Sequence, residues 1–118
     1  MDVSGSPTPL KKENDGEMPD VNLRDAKGKT ALHRAAENGH NEIAKHLIDN
    51  GALIDIEDHE KETPLHLAAK NGHKDVAELL VDRGALLGVK NNANKAPIHL
   101  AHENGHNKLA RYLLGQVL

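Results

Sequence analysis

An eleven-residue pattern occurs three times in this chain, and its spacing limits the possible fold more than any other feature. The copies are TALHRAAENGH at residues 30–40, TPLHLAAKNGH at 63–73 and APIHLAHENGH at 96–106, so the period is 33 residues. Self-similarity at a fixed period of this size is typical of repeat proteins, in which each unit packs mainly against its neighbours. We therefore expect a stack of small units rather than a globule around one central core.

The wording T-P-L-H-x-A-A-x-x-G-H and the 33-residue period resemble the ankyrin repeat, and the resemblance covers residues 19–118. It implies an all-α fold, an ankyrin-repeat α-solenoid of stacked helix–turn–helix pairs with hairpin-like finger loops. We expect a flexible tail at residues 1–18, because this segment is rich in Ser, Gly, Pro and charge. The repeat domain then follows, with a partial hairpin at 19–24 and repeats at 25–57, 58–90 and 91–118.

The local sequence of each repeat predicts two short helices. In the first repeat Thr30 is a good N-cap for a helix that runs to about Glu37. A second helix with one apolar face is expected over residues 42–49. In the third repeat the second helix is expected over residues 108–114, with Gly115 at its end.

Some positions differ between the repeats. Lys61 and Asn94 stand where the first repeat has Gly28, so these finger turns are strained if φ is positive, less so for Asn. Arg34 replaces the leucines found at 67 and 100, which suits a first repeat with no full repeat before it. His102 replaces an alanine of the other two repeats, which predicts a looser or terminal face.

The composition excludes several functional classes. There is no Cys, and Ser occurs only in the first 18 residues, so no nucleophile stands beside a base, and no phosphate-binding glycine loop is present. We therefore predict a protein that is not an enzyme and needs no cofactor. The net charge is −3 and the basic residues are mixed with acidic ones, so we expect no nucleic-acid partner.

The same sequence gives expectations about location and assembly. No apolar run approaches the length of a membrane span, and the N-terminus has no secretory signal pattern. We expect an intracellular, cytoplasmic protein, with the nucleus as an alternative, that does not bind membranes and is a monomer.

The chain contains nine histidines, which raises the alternative of a metal-binding protein. His99, His102 and His106 have the spacing i, i+3, i+7 that could bind zinc. However, six of the nine belong to the repeat wording, and His106 follows a glycine beyond the first helix. In ankyrin repeats such histidines form hydrogen bonds within and between repeats, so we predict no metal site.

The resemblance implies a protein–protein interaction module that binds a partner, of unknown identity, on the concave surface of fingers and first helices. An engineered ankyrin binder is an alternative, because the repeats are nearly identical and Cys is absent. Matching positions predict the following protein-binding residues: Lys27, Lys29, Glu37, Asn38, His59, Glu60, Glu62, Lys70, Asn71, Asn92, Lys95, Glu103 and Asn104. The acidic side chains of Glu60 and Glu62 are expected to be solvated.

Overall fold

The computed structural model of the protein describes residues 20–118; the predicted tail at residues 1–18 lies outside this part of the chain. The described residues form six α-helices and no strands, which confirms the predicted all-α class. The helices pair as α1 with α2, α3 with α4 and α5 with α6, one pair for each repeat. Their bounds are α1 Ala31–Asn38, α2 Asn41–Asp49, α3 Pro64–Lys70, α4 Lys74–Asp82, α5 Pro97–Glu103 and α6 Asn107–Val117.

The first helix of a repeat begins where the sequence places a cap. The hydroxyl of Thr30 accepts the His33 N–H at 3.3 Å, and the hydroxyl of Thr63 accepts the His66 N–H at 3.4 Å. Each bond satisfies a backbone donor that has no partner inside the helix. Pro64 is the first residue of α3, where its missing N–H breaks no helical hydrogen bond.

Small residues let the helices of neighbouring repeats approach closely. Ala36, Ala68 and Ala69 have no exposed surface, and larger buried side chains such as Leu32 and Leu65 fill the space between the layers. The first helices α1, α3 and α5 contact one another more extensively than the second helices α2 and α4 do. The first helices therefore form the more closely packed layer of the stack, and with the fingers they make up the side that the resemblance implies to be concave.

The first repeat has a polar outer face, as the sequence predicted. Leu67 and Leu100 are buried in the stack, whereas Arg34 at the matching position is exposed. Its guanidinium donates to Asp25 Oδ2 at 2.6 Å and to Glu37 Oε1 at 3.2 Å. The charge is thus paired within the first repeat and faces solvent, where a charged group loses little hydration.

The last helix is longer than the sequence predicted. Residue Gly115 lies inside α6, which continues to Val117, so the prediction that Gly115 ends this helix is wrong. In the first two repeats the second helix stops just before Gly51 and Gly84, which have φ values of 99° and 94°. Val117 occupies the matching position in the third repeat, and a β-branched residue rarely adopts such a φ. The helical conformation therefore persists through Gly115 to Val117.

The predicted strain in the finger turns is present in the structure. Lys61 has a φ of 62° and Asn94 a φ of 64°, against 79° at Gly28. For a lysine the left-handed region costs about 1–2 kcal/mol because Cβ approaches the following carbonyl oxygen, whereas Asn tolerates it better.

We expect Lys61→Gly to raise the free energy of unfolding by about 0.5–1 kcal/mol, since relief of strain exceeds the added freedom of the unfolded chain. Asn94→Gly should give a smaller gain. Glu60→Gly, a neighbouring position without positive φ, should destabilise the protein. Urea denaturation of the three variants checks this, and a loss of stability in Lys61→Gly would contradict it.

Candidate functional site

Three finger loops of the same construction precede the first helices: finger one at residues 25–29, finger two at 58–62 and finger three at 91–95. Each begins with Asp or Asn, at Asp25, Asp58 and Asn91. The Oδ1 atom of this side chain accepts the backbone N–H groups two and four residues further on, at 2.8–3.0 Å. These bonds close the loop locally, as Asx turns do, so a finger keeps its shape without a partner strand.

Backbone hydrogen bonds also join each finger to the next. The His59 N–H donates to the Lys27 carbonyl at 3.0 Å, and the Asn92 N–H donates to the Glu60 carbonyl at 2.9 Å. The His59 ring lies over Gly28, where a Cβ atom would come within 2.5 Å of His59 Cδ2. The side chains at these tips are exposed, so the fingers form a row with fixed spacing that presents them to solvent.

A buried histidine on the first helix sets the position of the following finger. His33 Nδ1 accepts the Thr30 N–H at 3.1 Å, and His33 Nε2 lies 2.8 Å from the Glu62 carbonyl oxygen. Because a carbonyl only accepts, Nε2 must carry the proton, and the ring is neutral. His66 repeats the arrangement with the Lys95 carbonyl at 3.0 Å. These bonds confirm the predicted structural role of the repeat histidines.

Burial lowers the pKa of His33 and His66 below the ordinary value of 6.5 because the imidazolium would lose its hydration. The hydrogen bond to the carbonyl of Glu62 or Lys95 opposes this shift but does not cancel it.

The pKa of Asp25, in finger one, is lowered for a different reason, because its ionised form is stabilised. Hydrogen bonds from the Lys29 N–H and from Arg34 lower its pKa to about 2.

A second set of histidines connects the repeats on the side of the helix–helix turns. His73 Nε2 donates to the Glu37 carbonyl at 3.1 Å, and its ring covers Gly39. His106 does the same with the Lys70 carbonyl at 3.1 Å, over Gly72. A side chain on either glycine would overlap the ring. The Asn-Gly-His sequence of the repeat therefore needs glycine, because the histidine ring of the next repeat lies so close to the backbone.

The alternative of a metal site formed by His99, His102 and His106 together is wrong. The Nε2 atom of His106 is used by the preceding repeat, whereas His99 and His102 line a cavity at the end of the stack. Within residues 20–118, no group of three His, Asp or Glu side chains is placed to hold a metal ion.

Six of the predicted binding residues form ion pairs inside their own repeats. Lys29 Nζ lies 3.5 Å from Glu37 Oε2, and Glu62 Oε1 lies 3.7 Å from Lys70 Nζ. Lys95 pairs with Glu103 at the same positions of the third repeat. The order of charge is reversed in the middle repeat, so positive and negative groups alternate along the stack. This pattern was not recognised from the sequence, although the period of 33 residues would have revealed it.

Glu62 is only 4% exposed, so the prediction that it is solvated surface is wrong. Its Oε2 accepts a hydrogen bond from Asn91 Nδ2 at 2.9 Å, across the contact between the second and third fingers. The Lys70 ammonium balances the charge of the buried carboxylate. Glu62 therefore connects two repeats and is not available to a partner, whereas Glu60, two residues earlier, is exposed.

Asn38, Asn71 and Asn104 are exposed, but their side-chain donors are used by their own helices. The three Nδ2 atoms bond to the carbonyl oxygens of Arg34, Leu67 and Leu100, four residues earlier, at 2.9, 3.0 and 2.8 Å. The carbonyls of Leu67 and Leu100 also accept the backbone N–H of the same asparagine, so each side chain adds a second bond near the end of the first helix. Four of the predicted residues remain as exposed finger tips: Lys27, His59, Glu60 and Asn92. Of these, Asn92 uses its Nδ2 to donate to the His59 carbonyl at 3.3 Å, and its side-chain oxygen is left for a partner.

Comparison with known proteins agrees with this geometry. The family model described as ankyrin repeats (3 copies) matches residues 10–91 and 50–117. The chain is therefore a member of the ankyrin repeat family, whose members are generally protein–protein interaction modules and typically have no enzymatic activity. A search of curated proteins gave no match. Among the described residues, no helix combines the length and the apolar character needed to cross a membrane.

The neutral histidines predict a loss of stability in acid. Since the folded-state pKa of His33 and His66 is lower than the unfolded value, the folded state binds fewer protons. Their stabilisation is complete above about pH 6.5 and is lost as pH falls below that value. We expect the urea midpoint to decrease between about pH 7 and pH 5. In this range Asp25 stays ionised. His46→Gln, a change of an exposed histidine, should leave the decrease unaltered, and a midpoint that is flat or rises would contradict the prediction.

The contact between Glu62 and Asn91 predicts strong coupling between these positions. Asn91→Asp keeps the side-chain oxygen that closes finger three, but it places a second carboxylate beside the buried Glu62 carboxylate. This change should lower the free energy of unfolding by about 2 kcal/mol at neutral pH. Adding Glu62→Gln should restore most of that loss, because the amide can donate to the new carboxylate. A double-mutant cycle by urea denaturation measures the coupling. Additive effects of the two substitutions would refute this account.

Proposed function

We propose that the protein binds a protein partner through the finger row of its concave surface, with the exposed side chains of Lys27, His59, Glu60 and Asn92 as the contact residues. The observation that carries this proposal is the rigid spacing of these side chains, because the fingers are hydrogen-bonded both internally and to one another. A preformed surface loses little conformational entropy when it binds, so contacts at the tips contribute more of their energy to affinity.

The deeper concave residues have a different part in this proposal. Lys29, Glu37, Lys95 and Glu103 are already paired, and a partner would have to break each pair before using either charge. Partly exposed pairs of this kind contribute little to stability, so they set the local charge pattern rather than supply the main binding energy. The finger tips are therefore the positions where truncation should have the largest effect.

The charge pattern also favours a protein partner over a nucleic acid. Nucleic-acid binding depends on basic groups that neutralise successive phosphates. Along this surface, Lys29, Glu62 and Lys95 alternate in sign, as do Glu37, Lys70 and Glu103. A partner with its own mixture of charges matches such a surface better than a uniform polyanion does.

The test uses the intact chain as bait in an affinity capture, followed by identification of bound proteins by mass spectrometry and by measurement of their affinity. The variant His59→Ala, Glu60→Ala, Asn92→Ala should keep its helical circular dichroism and weaken binding of the partner by at least about tenfold, or 1.4 kcal/mol. The control Glu42→Ala, Lys45→Ala removes two exposed charges from α2, on the outer side of the stack.

The control should change the affinity much less than the finger variant. Loss of binding in the control but not in the finger variant would show that the partner uses the convex side. Equal affinity of both variants and the wild type would also overturn the assignment of the finger row.

A further inference from the structure

A cavity of about 650 Å³ lies at the C-terminal end of the stack, between α5 and α6. Its apolar walls are Ile98, Ala110, Leu114 and Val117. Val117 is present there because α6 continues past the point where α2 and α4 end. Val117 and other wall residues thus distinguish the third repeat from the first two, and none of the wall residues belongs to the finger row.

The face that carries this cavity is the one that the earlier repeats use for stacking. Leu32 and Leu65, which match Ile98, are buried under the following repeat. His33 and His66 donate to a carbonyl of the next finger. Among the described residues, His99 forms a hydrogen bond within its own repeat alone, from the Ala96 N–H to Nδ1 at 3.0 Å. His99 is exposed and lines the cavity, so its Nε2 lacks the carbonyl acceptor that the other two repeats supply.

The turn between α5 and α6 shows the same unfilled contact. A histidine ring covers Gly39 and another covers Gly72, but within the described residues nothing lies within 4 Å of a Cβ position at Gly105. This end face therefore resembles the faces at which the first two repeats stack. It exposes apolar residues, and His99 has no acceptor from a following repeat among the described residues.

One substitution makes this face differ from the stacking faces of the first two repeats. Ala36 and Ala69 have no exposed surface, since the following helix lies directly against them. His102 stands at the matching position and is exposed in the wall of the cavity, so this face carries a larger, polar side chain where the others have a methyl group. A helix that packs against Ile98, Ala110 and Leu114 must therefore accommodate the His102 ring.

The charges around the cavity select the partner. Among the described residues that line it, the ionisable ones are His99, His102 and Arg111, and none carries a carboxylate. Arg111 is exposed and forms no ion pair with any described residue. An acidic side chain near the apolar contact would pair with Arg111 and could accept from His99 Nε2, in place of the missing carbonyl.

We propose that this end face is a second protein-binding site, which takes an amphipathic α-helix of a partner protein with acidic residues beside its apolar stripe. The helix packs its apolar residues against Ile98, Ala110, Leu114 and Val117. Its carboxylates face Arg111 and the two histidines. The site is independent of the finger row, so each can be occupied without the other.

The test uses the full ¹⁵N-labelled chain and two synthetic helical peptides of about 18 residues, long enough to form a helix in isolation. The peptides share one Leu/Ala stripe and carry either Glu or Lys beside it. The Glu peptide should shift the amide resonances of Ala110, Arg111 and Leu114 in a saturable way, and the Lys peptide should bind at least about tenfold more weakly.

Two charge reversals at matching positions serve as variant and control. Arg111→Glu should remove the preference for the Glu peptide, whereas Lys45→Glu, the same position in the first repeat, should leave it unchanged. Both residues are exposed, so neither change should disturb folding. Equal binding of the two peptides, shifts confined to the fingers, or no saturable shift would overturn the proposal.

Spectra of the chain without peptide test two other possible ligands of the end face. If Arg111→Glu moved the resonances of residues 2–18, the chain's own N-terminal segment would be the ligand of the end face. If the end-face resonances moved with protein concentration, a second copy of the chain would be the ligand. Either result would overturn the assignment to a partner helix.

Discussion

The hydrogen bond from a buried, neutral imidazole to the carbonyl of the next finger is the interaction on which the stack depends most directly. His33 and His66 each join three structural elements: the N-cap of their own helix, the helix itself and the following finger. Both ring nitrogens already form hydrogen bonds. A second proton would go to Nδ1, and the buried Thr30 or Thr63 N–H would then lose its acceptor. The position of a finger relative to the preceding first helix is therefore tied to the protonation state of one side chain.

Shared hydrogen bonds explain why repeats stack, but they do not fix the order of the repeats, because every repeat has them. The contacts at Glu62 differ from repeat to repeat. Glu62 faces Asn91 across the second contact, whereas the matching pair across the first is Lys29 and Asp58. Asp58 Oδ2 is buried without a hydrogen-bond partner among the described residues. If the first and second repeats were exchanged, Glu62 would lie opposite Asp25. A buried pair of carboxylates is costly. The polar contacts thus make the native order of repeats preferable to alternatives that bury the same apolar area.

The parts of this structure that depend on the repeated pattern could be predicted from the sequence. The period of 33 residues, the Thr caps and the Gly turns predicted the helix pairs, since each signal acts within a few residues and occurs more than once. The end of α6 could not be predicted from Gly115, because what extends the helix is the absence of a glycine two residues later. Helix termination depends on which residue takes the left-handed conformation after the last turn, not on any glycine nearby.

The candidate site was harder to predict than the fold, for a similar reason. Position in the repeat predicted a set of binding residues, but it could not predict which of their side chains are used by contacts within the stack. Glu62 is buried because Asn91 supplies a donor from the neighbouring repeat, and this partner lies 29 residues away in the sequence. Burial of a charge is decided by such pairs, which no local pattern contains. Comparison of matching positions in adjacent repeats would have revealed both the pair and the alternating charges.

The two surfaces arise from the repeat pattern in opposite ways, and this has a consequence for how they can change. The finger row needs the repeats to be alike, since equal units give equal spacing of the tips. The end-face cavity is lined by residues at which the third repeat differs from the others, among them His102, Arg111 and Val117. In a solenoid each repeat contacts only its neighbours, so the stability of the stack is close to a sum of local terms. Substitutions at the end face therefore affect one repeat and leave the contact between the first and second fingers intact. A binding site can thus be added or altered at the end of such a stack without loss of the surface along its length.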